Sequence, residues 1–160
     1  MSRPPDPEAF RKALGRFASG VTLITTRDGD GRDRGMTLSA FSSLSLDPPL
    51  VLACVGHEAT IAGAVAAATH FGISVLAEGQ EALSRRFADP DADRFDGVPI
   101  VRGTQDIALI DGALAHLECR IIARHEAGDH TIVIGAVEAV SAREGRPLLY
   151  YRRRYGRFAR

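Results

Sequence analysis

Apolar residues Phe10, Leu14 and Phe17 recur at i, i+4 and i+7, and Asp6-Pro7 supplies a capping carboxylate and a proline whose fixed φ suits a first helical turn. The spacing predicts a short amphipathic helix that ends at Gly20. From Val21 the period changes, because VTLITTR is dense in β-branched residues and Asp28-Gly29-Asp30-Gly31 then breaks it. A strand over 21–27 and a hairpin partner over 34–42 are expected. Residues 50–55 form an apolar run between Pro48-Pro49 and Gly56, short enough for a buried strand. The alanine-rich stretch 59–68 predicts a helix capped by Thr60, followed by a strand over 70–76. Residues 79–87 predict a second helix with Leu83 and Phe87 on one face.

Residues 88–103, rich in Asp, Pro and Gly, read as a long ordered loop, and a loop of that length is a candidate for function. The runs 113–123 and 130–140 flank His125-Glu126-Ala127-Gly128-Asp129 and predict an antiparallel hairpin; residues 148–151 add a strand. Six or seven strands with two or three helices predict a closed or partly closed antiparallel barrel, because closure removes exposed sheet edges. A mixed α/β sandwich fits the same string. A chain of 160 residues buries roughly 70% of its unfolded surface as one domain, with residues 1–8 expected to be a disordered tail.

Composition narrows the class. The 45% hydrophobic and 25% charged content is that of an ordinary folded protein. Equal numbers of basic and acidic residues, 20 each, argue against the positive field of a nucleic-acid binder. No apolar run approaches the roughly 18 residues of a spanning helix, and no apolar stretch follows Arg3 as in a signal peptide, so a cytoplasmic location is expected. Cys54 and Cys119 stand far apart in apolar runs and read as buried thiols. The five histidines lack metal-ligand spacing, and P-loop, GxGxxG and GxSxG patterns are absent.

The alternating hydroxyls of Gly35-Met36-Thr37-Leu38-Ser39-Ala40-Phe41 suit a strand with one polar face toward water. They equally suit a flavin, whose ring edge is met by many short donors. Composition alone leaves both readings open. Four segments in order, GMTLSAFSSLSLDPPLVLACV, HFGISVLAEGQEALSRRFA, GDHTIVIGAV and PLLYYRRRYGR, resemble those of the short-chain flavin reductases, the reductase components of two-component flavin-dependent monooxygenases. The similarity runs from about Phe10 to Tyr155. It implies a mainly β fold, a split β-barrel of Greek-key type with two or three short flanking helices. It also implies FMN or FAD as cofactor, NADH or NADPH as electron donor, a homodimer with flavin near its interface, and a partner monooxygenase receiving reduced flavin.

Carried onto this sequence, the resemblance puts the flavin strand on Thr37, Ser39, Ala40 and Phe41, with hydroxyls and amides donating to the ring edge. The phosphate-side segment falls on Cys54, Val55, Gly56, His57, Glu58, Ala59 and Thr60. Glu58 and Gly56 depart from the family pattern; an acid at 58 repels phosphate and favours a freely exchanging flavin. His130 takes the place of the histidine beside flavin and nicotinamide and is the expected catalytic residue; its alternative is a strand-start histidine bonded to a carbonyl. Tyr155 and Arg157 are expected to approach the site from the C-terminal tail, against the alternative of a solvated charge run. Phe87 reads as core or as a flavin-side aromatic. Hydride transfer to a flavin calls for orientation and placed donors, and so for no triad or paired carboxylates. Two other readings share the barrel: a non-catalytic flavin-binding or electron-transfer protein, and a pyridoxamine-phosphate-oxidase-like enzyme, which needs a basic phosphate cluster not visible around Glu58. The excess of apolar β-segments, residues 148–151 above all, predicts a two-fold dimer.

Overall fold

The computed structural model describes residues 3–159. Its central element is one seven-stranded, wholly antiparallel sheet of β2 (Thr22–Arg27), β3 (Asp33–Leu38), β4 (Phe41–Leu46), β5 (Pro49–Gly56), β6 (His70–Val75), β9 (Ala115–Ala127) and β10 (His130–Ala142), in the order β3-β2-β6-β9-β10-β5-β4. The two end strands, β3 and β4, are consecutive in the chain and joined only by Ser39 and Ala40. Laid flat, seven strands at about 4.8 Å spacing would hold those ends about 29 Å apart, whereas three peptide steps reach about 11 Å at most. The sheet therefore closes on itself. Because β3 and β4 form no ladder with each other, the barrel is split at that seam. The connection through α2 (Ala62–Ala67) carries the chain from β5 past β10 and β9 to β6, the Greek-key step.

Two cores follow from closure. Ile24, Leu38, Val51, Ala53, Val55, Phe71, Ile73, Cys119 and Val133 fill the barrel, and Ile61 and Val65 from the α2 segment pack against them. A second core outside the wall joins Val21, Leu23, Leu76, Phe87, Ile110, Ala113 and Leu148. Strand β2 faces both, which is why VTLITT is apolar or β-branched at every position. Its threonines are satisfied by carbonyls: Thr22 donates to Leu38, Thr25 to Ala108 and Thr26 to His70, at 2.6, 2.6 and 2.8 Å. Gly135 lies beneath Phe71, where a Cβ would fall 2.6 Å from the ring.

Several expectations are corrected. Helix α1 (Pro7–Leu14), capped by Asp6, stops at Gly15 and not at Gly20, and its stripe of Phe10, Leu14 and Phe17 is 53, 58 and 83% exposed, so no core extends it. Pro7 and Glu8 are already helical, so the tail expected over 1–8 shortens; Met1 and Ser2 lie outside the described residues. The single strand expected over 34–42 is interrupted at Ser39-Ala40, because the chain leaves one sheet edge there and joins the other. Thr60 does not cap α2, whose N-terminus has no side-chain cap. Helix α3 (Glu81–Ala88) follows a 3-10 turn at Glu78–Gln80. Strands β1 (Ser19–Gly20), β7 (Ile100–Arg102) and β8 (Ala108–Ile110) are too short to show a period, and β12 (Arg154–Arg157) lacks an apolar run; β11 (Leu148–Tyr151) lies between β1 and β12 as expected from its sequence. No helix among the described residues is long and apolar enough to cross a membrane.

The β7–β8 hairpin is held to the barrel by Glu118, a buried carboxylate on β9. Its Oε2 accepts from Thr104 N and Oγ1 at 2.7 and 2.8 Å, and glycine at 103 is what lets it approach, since a Cβ there would lie 2.4 Å from the same oxygen. Glu118→Ala strands these donors and is expected to lower stability by about 2 kcal/mol, read as an earlier urea midpoint. Burial pushes the Cys119 thiol up to about 12, with Glu138 and Glu118 adding to the effect. Native protein treated with iodoacetamide at neutral pH is therefore expected to keep Cys119 unmodified by mass spectrometry until denaturant is added.

Candidate functional site

The outer edge of β3 has no strand partner, so its outward backbone groups are left to side chains or to a ligand. Positions 33, 35, 37 and 39 succeed one another along it in steps of about 7 Å. Asp33 is held by both terminal nitrogens of Arg102 at 2.7 Å. At Gly35 the carbonyl accepts from Arg94 Nη1 at 2.7 Å, and the same nitrogen donates to Thr60 Oγ1, also at 2.7 Å. Gly35, Thr60, Ile61, Arg94 and Phe95 are among the residues lining a cleft of about 360 Å³, at the low end of the roughly 300–1,000 Å³ usual for small-molecule sites. Burial draws the Arg94 pKa down, with Asp89 opposing. Its guanidinium is thus a partly desolvated cation facing an open cleft. Glu58, the expected source of repulsion, is exposed.

At Thr37, half-buried against α3, the hydroxyl donates to the Ser84 carbonyl at 2.5 Å. The Ser84 hydroxyl lies 2.8 Å from Tyr155 Oη, and the Tyr155 ring takes the Arg85 guanidinium at 4.8 Å and the Tyr150 ring at 5.3 Å. Thr37 and Tyr155, far apart in sequence, thus meet through one buried serine. At the seam, Phe41 N donates to Ser39 O and Cys54 N to Ala40 O, both at 2.9 Å. Ser39 and Ala40 stay exposed, and Phe41 packs against the barrel core.

The other expected residues lie further along β5. Cys54, Gly56 and His130 share the outward face: Cys54 pairs with Ile132 and Gly56 with His130 across the ladder. The His130 ring rests on Gly56, where a Cβ would lie 3.5 Å from Nε2. A Cβ at 56 would make only ordinary contact with that ring, so the packing does not require glycine there. His130 Nδ1 is 2.7 Å from Asp129 Oδ1, which keeps the proton on Nδ1 and leaves Nε2 free. His57 N donates to Asp129 O at 2.9 Å, and its Nε2 is 2.7 Å from Glu126 Oε2. Arg157 pairs with Leu148 and is exposed, apart from the Ser84 cluster. Phe87 is wholly buried in the second core, edge-on to Phe95 at 5.0 Å. No group of three or more metal-ligating side chains occurs among the described residues.

Sequence reasoning missed Ser84, Arg94 and Asp129. Arg94 had a signal, being the one cation in the acidic stretch 88–99. Ser84 and Asp129 had none.

The family model for the flavin reductase like domain matches residues 14–159. The chain belongs to the flavin reductase family. An "NADH-dependent flavin reductase" of Rhodococcus sp. is 45% identical, with 91% of this chain and 85% of the relative covered. The reductase component of a Thermus thermophilus 4-hydroxyphenylacetate 3-monooxygenase is 46% identical over 94% of this chain and 95% of its own. Among solved structures, a Streptomyces globisporus NADH:FAD oxidoreductase in complex with NAD and FAD fragments superposes with a TM-score of 0.91 at 41% identity, covering 99% of this chain and 98% of that one.

The Asp129 carboxyl of this flavin reductase family member is held below the usual carboxylate range, first by its hydrogen bond with His130. In His130→Ala that restraint is gone. The Asp129 pKa is then expected to rise toward its ordinary value, measured by NMR titration of the side-chain carboxyl.

Proposed function

We propose that this is a single-domain NADH-dependent flavin reductase that supplies reduced FMN or FAD to a partner monooxygenase. The observation that carries this reading is the near-full-length likeness to NADH-dependent reductases, joined to a free strand edge with a cation and hydroxyls beside it. The residues fit a flavin. The open edge of β3 and the Ser39-Ala40 link offer backbone groups to the ring, and Arg94 with Thr60 offers a cation and a hydroxyl to the phosphate. When bound, flavin would supply a ring that accepts a hydride, two electrons with one proton, from NADH, leaving NAD⁺.

The protein's part is placement. Arg94 offsets the charge of a phosphate in a cleft where burial strengthens the attraction. His130, seated on Gly56 and oriented by Asp129, holds the nicotinamide side of the site with Nε2 free. Tyr155, fixed through Ser84, bounds the α3 side. Cys54 and His57 act through backbone, shaping the seam and the Asp129 turn.

The assembly proposed is a homodimer; of residues 148–151, expected at its interface, Leu148 is buried in the second core and Tyr151 is 42% exposed. The outward face of β4, β5 and β10 fits better. Leu50, Leu52, Ile132 and Ile134 are partly open there, and Leu46 is 94% exposed. A second copy of the chain covers such a face by two-fold pairing.

Purified protein is expected to oxidise NADH only with FMN or FAD present; no oxidation above the flavin-only background at saturating flavin overturns the reading. His130→Ala is expected to lower kcat/KM by one to two decades, about 1.4 to 2.7 kcal/mol, with flavin affinity kept. An unchanged reduction rate in stopped flow returns His130 to a structural role. Light scattering should give a mass near twice 17.2 kDa, falling toward one chain in Leu52→Glu.

A further inference from the structure

The Thr37 hydroxyl carries one hydrogen, and the Ser84 carbonyl takes it at 2.5 Å. That carbonyl cannot turn away. Ser84 is fully buried within α3, its own hydroxyl is tied to Tyr155, and Phe87 one turn on is locked in the second core. A hydroxyl has one donor and two acceptor lone pairs, so Thr37 offers a ligand beside β3 lone pairs only.

A flavin edge is mostly acceptor: O2 and O4 in both redox states, and N5 in the oxidised ring. Its ring donors along that edge are N3–H in both states and, after reduction, N5–H. A lone pair set against O2, O4 or oxidised N5 is repelled; against an N–H it is bonded. The expectation that Thr37 donates to the ring is therefore reversed. Resting on the reading of β3 as the flavin strand, we propose that Thr37 is an obligate acceptor that reads a ring N–H of the flavin, with its direction fixed by the Ser84 carbonyl.

The test titrates FMN and N3-methyl-FMN, oxidised and dithionite-reduced, against wild type, Thr37→Val and Thr37→Ser, with flavin fluorescence or calorimetry as the readout. Thr37→Val is expected to weaken a flavin that carries the read N–H about five- to tenfold, roughly one net hydrogen bond, while Thr37→Ser keeps wild-type affinity. Oxidised N3-methyl-FMN has neither N–H, and Thr37→Val should leave its affinity unchanged. A loss already seen with oxidised FMN places the contact at N3–H; a loss confined to reduced flavins places it at N5–H, and either supports the proposal. An equal loss with oxidised N3-methyl-FMN overturns it, because the loss then does not depend on a ring N–H. No loss with any flavin, in a variant with wild-type circular dichroism and Tm, overturns the reading of β3 itself. If Thr37→Val folds poorly, Thr37→Cys, similar in size and a far weaker acceptor, carries the same comparison.

Discussion

Two residues, Ser39 and Ala40, tie the opposite ends of a seven-stranded sheet together, and most of the structure follows from the shortness of that link. Closure creates an inside, filled by Phe71, Cys119 and their neighbours, and an outside wall that needs its own cover from α3, β8 and β11. It also leaves β3 near β4 without a ladder between them. The fold thereby keeps one strand edge open at the place where hydroxyls, an arginine and a helix converge. An ordinary closed barrel would have used those backbone groups on itself.

The polar residues around the seam divide by burial. Inside the walls, the β2 threonines and Glu118 are hydrogen-bonded and act as fasteners between layers. At the rim, His57, Glu126, Asp129 and His130 pair with one another while exposed, where water screens such contacts and leaves them little weight in stability. Arg94 lies between these regimes. Partly desolvated yet facing a cleft, it is bonded to Gly35 and Thr60 before any ligand arrives, so its orientation is set in advance.

Much of the barrel was legible because its strands are long or rich in β-branched residues: 21–27, 50–55 and 130–140 lie at or near the observed strands, and outside it the wholly apolar and aromatic run 148–151 matches β11. Residues 34–42 look continuous, since no Gly, Pro, Asn or Asp marks a turn at 39–40; what interrupts the strand there is the closure of distant edges, a non-local cause. β7 and β8 escape because three residues cannot display alternation, and β12 because Arg154-Tyr155-Gly156-Arg157 lacks the apolar run that marks β11. At the site, the hydroxyl strand and His130 carried a signal through resemblance. The direction of the Thr37 hydrogen bond had none, as it depends on Ser84 forty-seven positions away.

Gly135 and Phe71 show what such packing does to the history of a sequence. The phenyl ring occupies the space a side chain at 135 would need, and Cys119 closes the remaining gap, with its Cβ 2.8 Å from the same point. Neither position can drift alone. Enlarging 135 requires shrinking 71 and shifting β9 at Cys119 in the same step, yet shrinking 71 first opens a cavity whose cost, about 3 to 5 kcal/mol for a phenylalanine reduced to alanine, is a large share of a domain's net stability. The route between two workable pairs therefore passes through a poorly folded intermediate, and the strands carrying them are expected to change together or remain as they are.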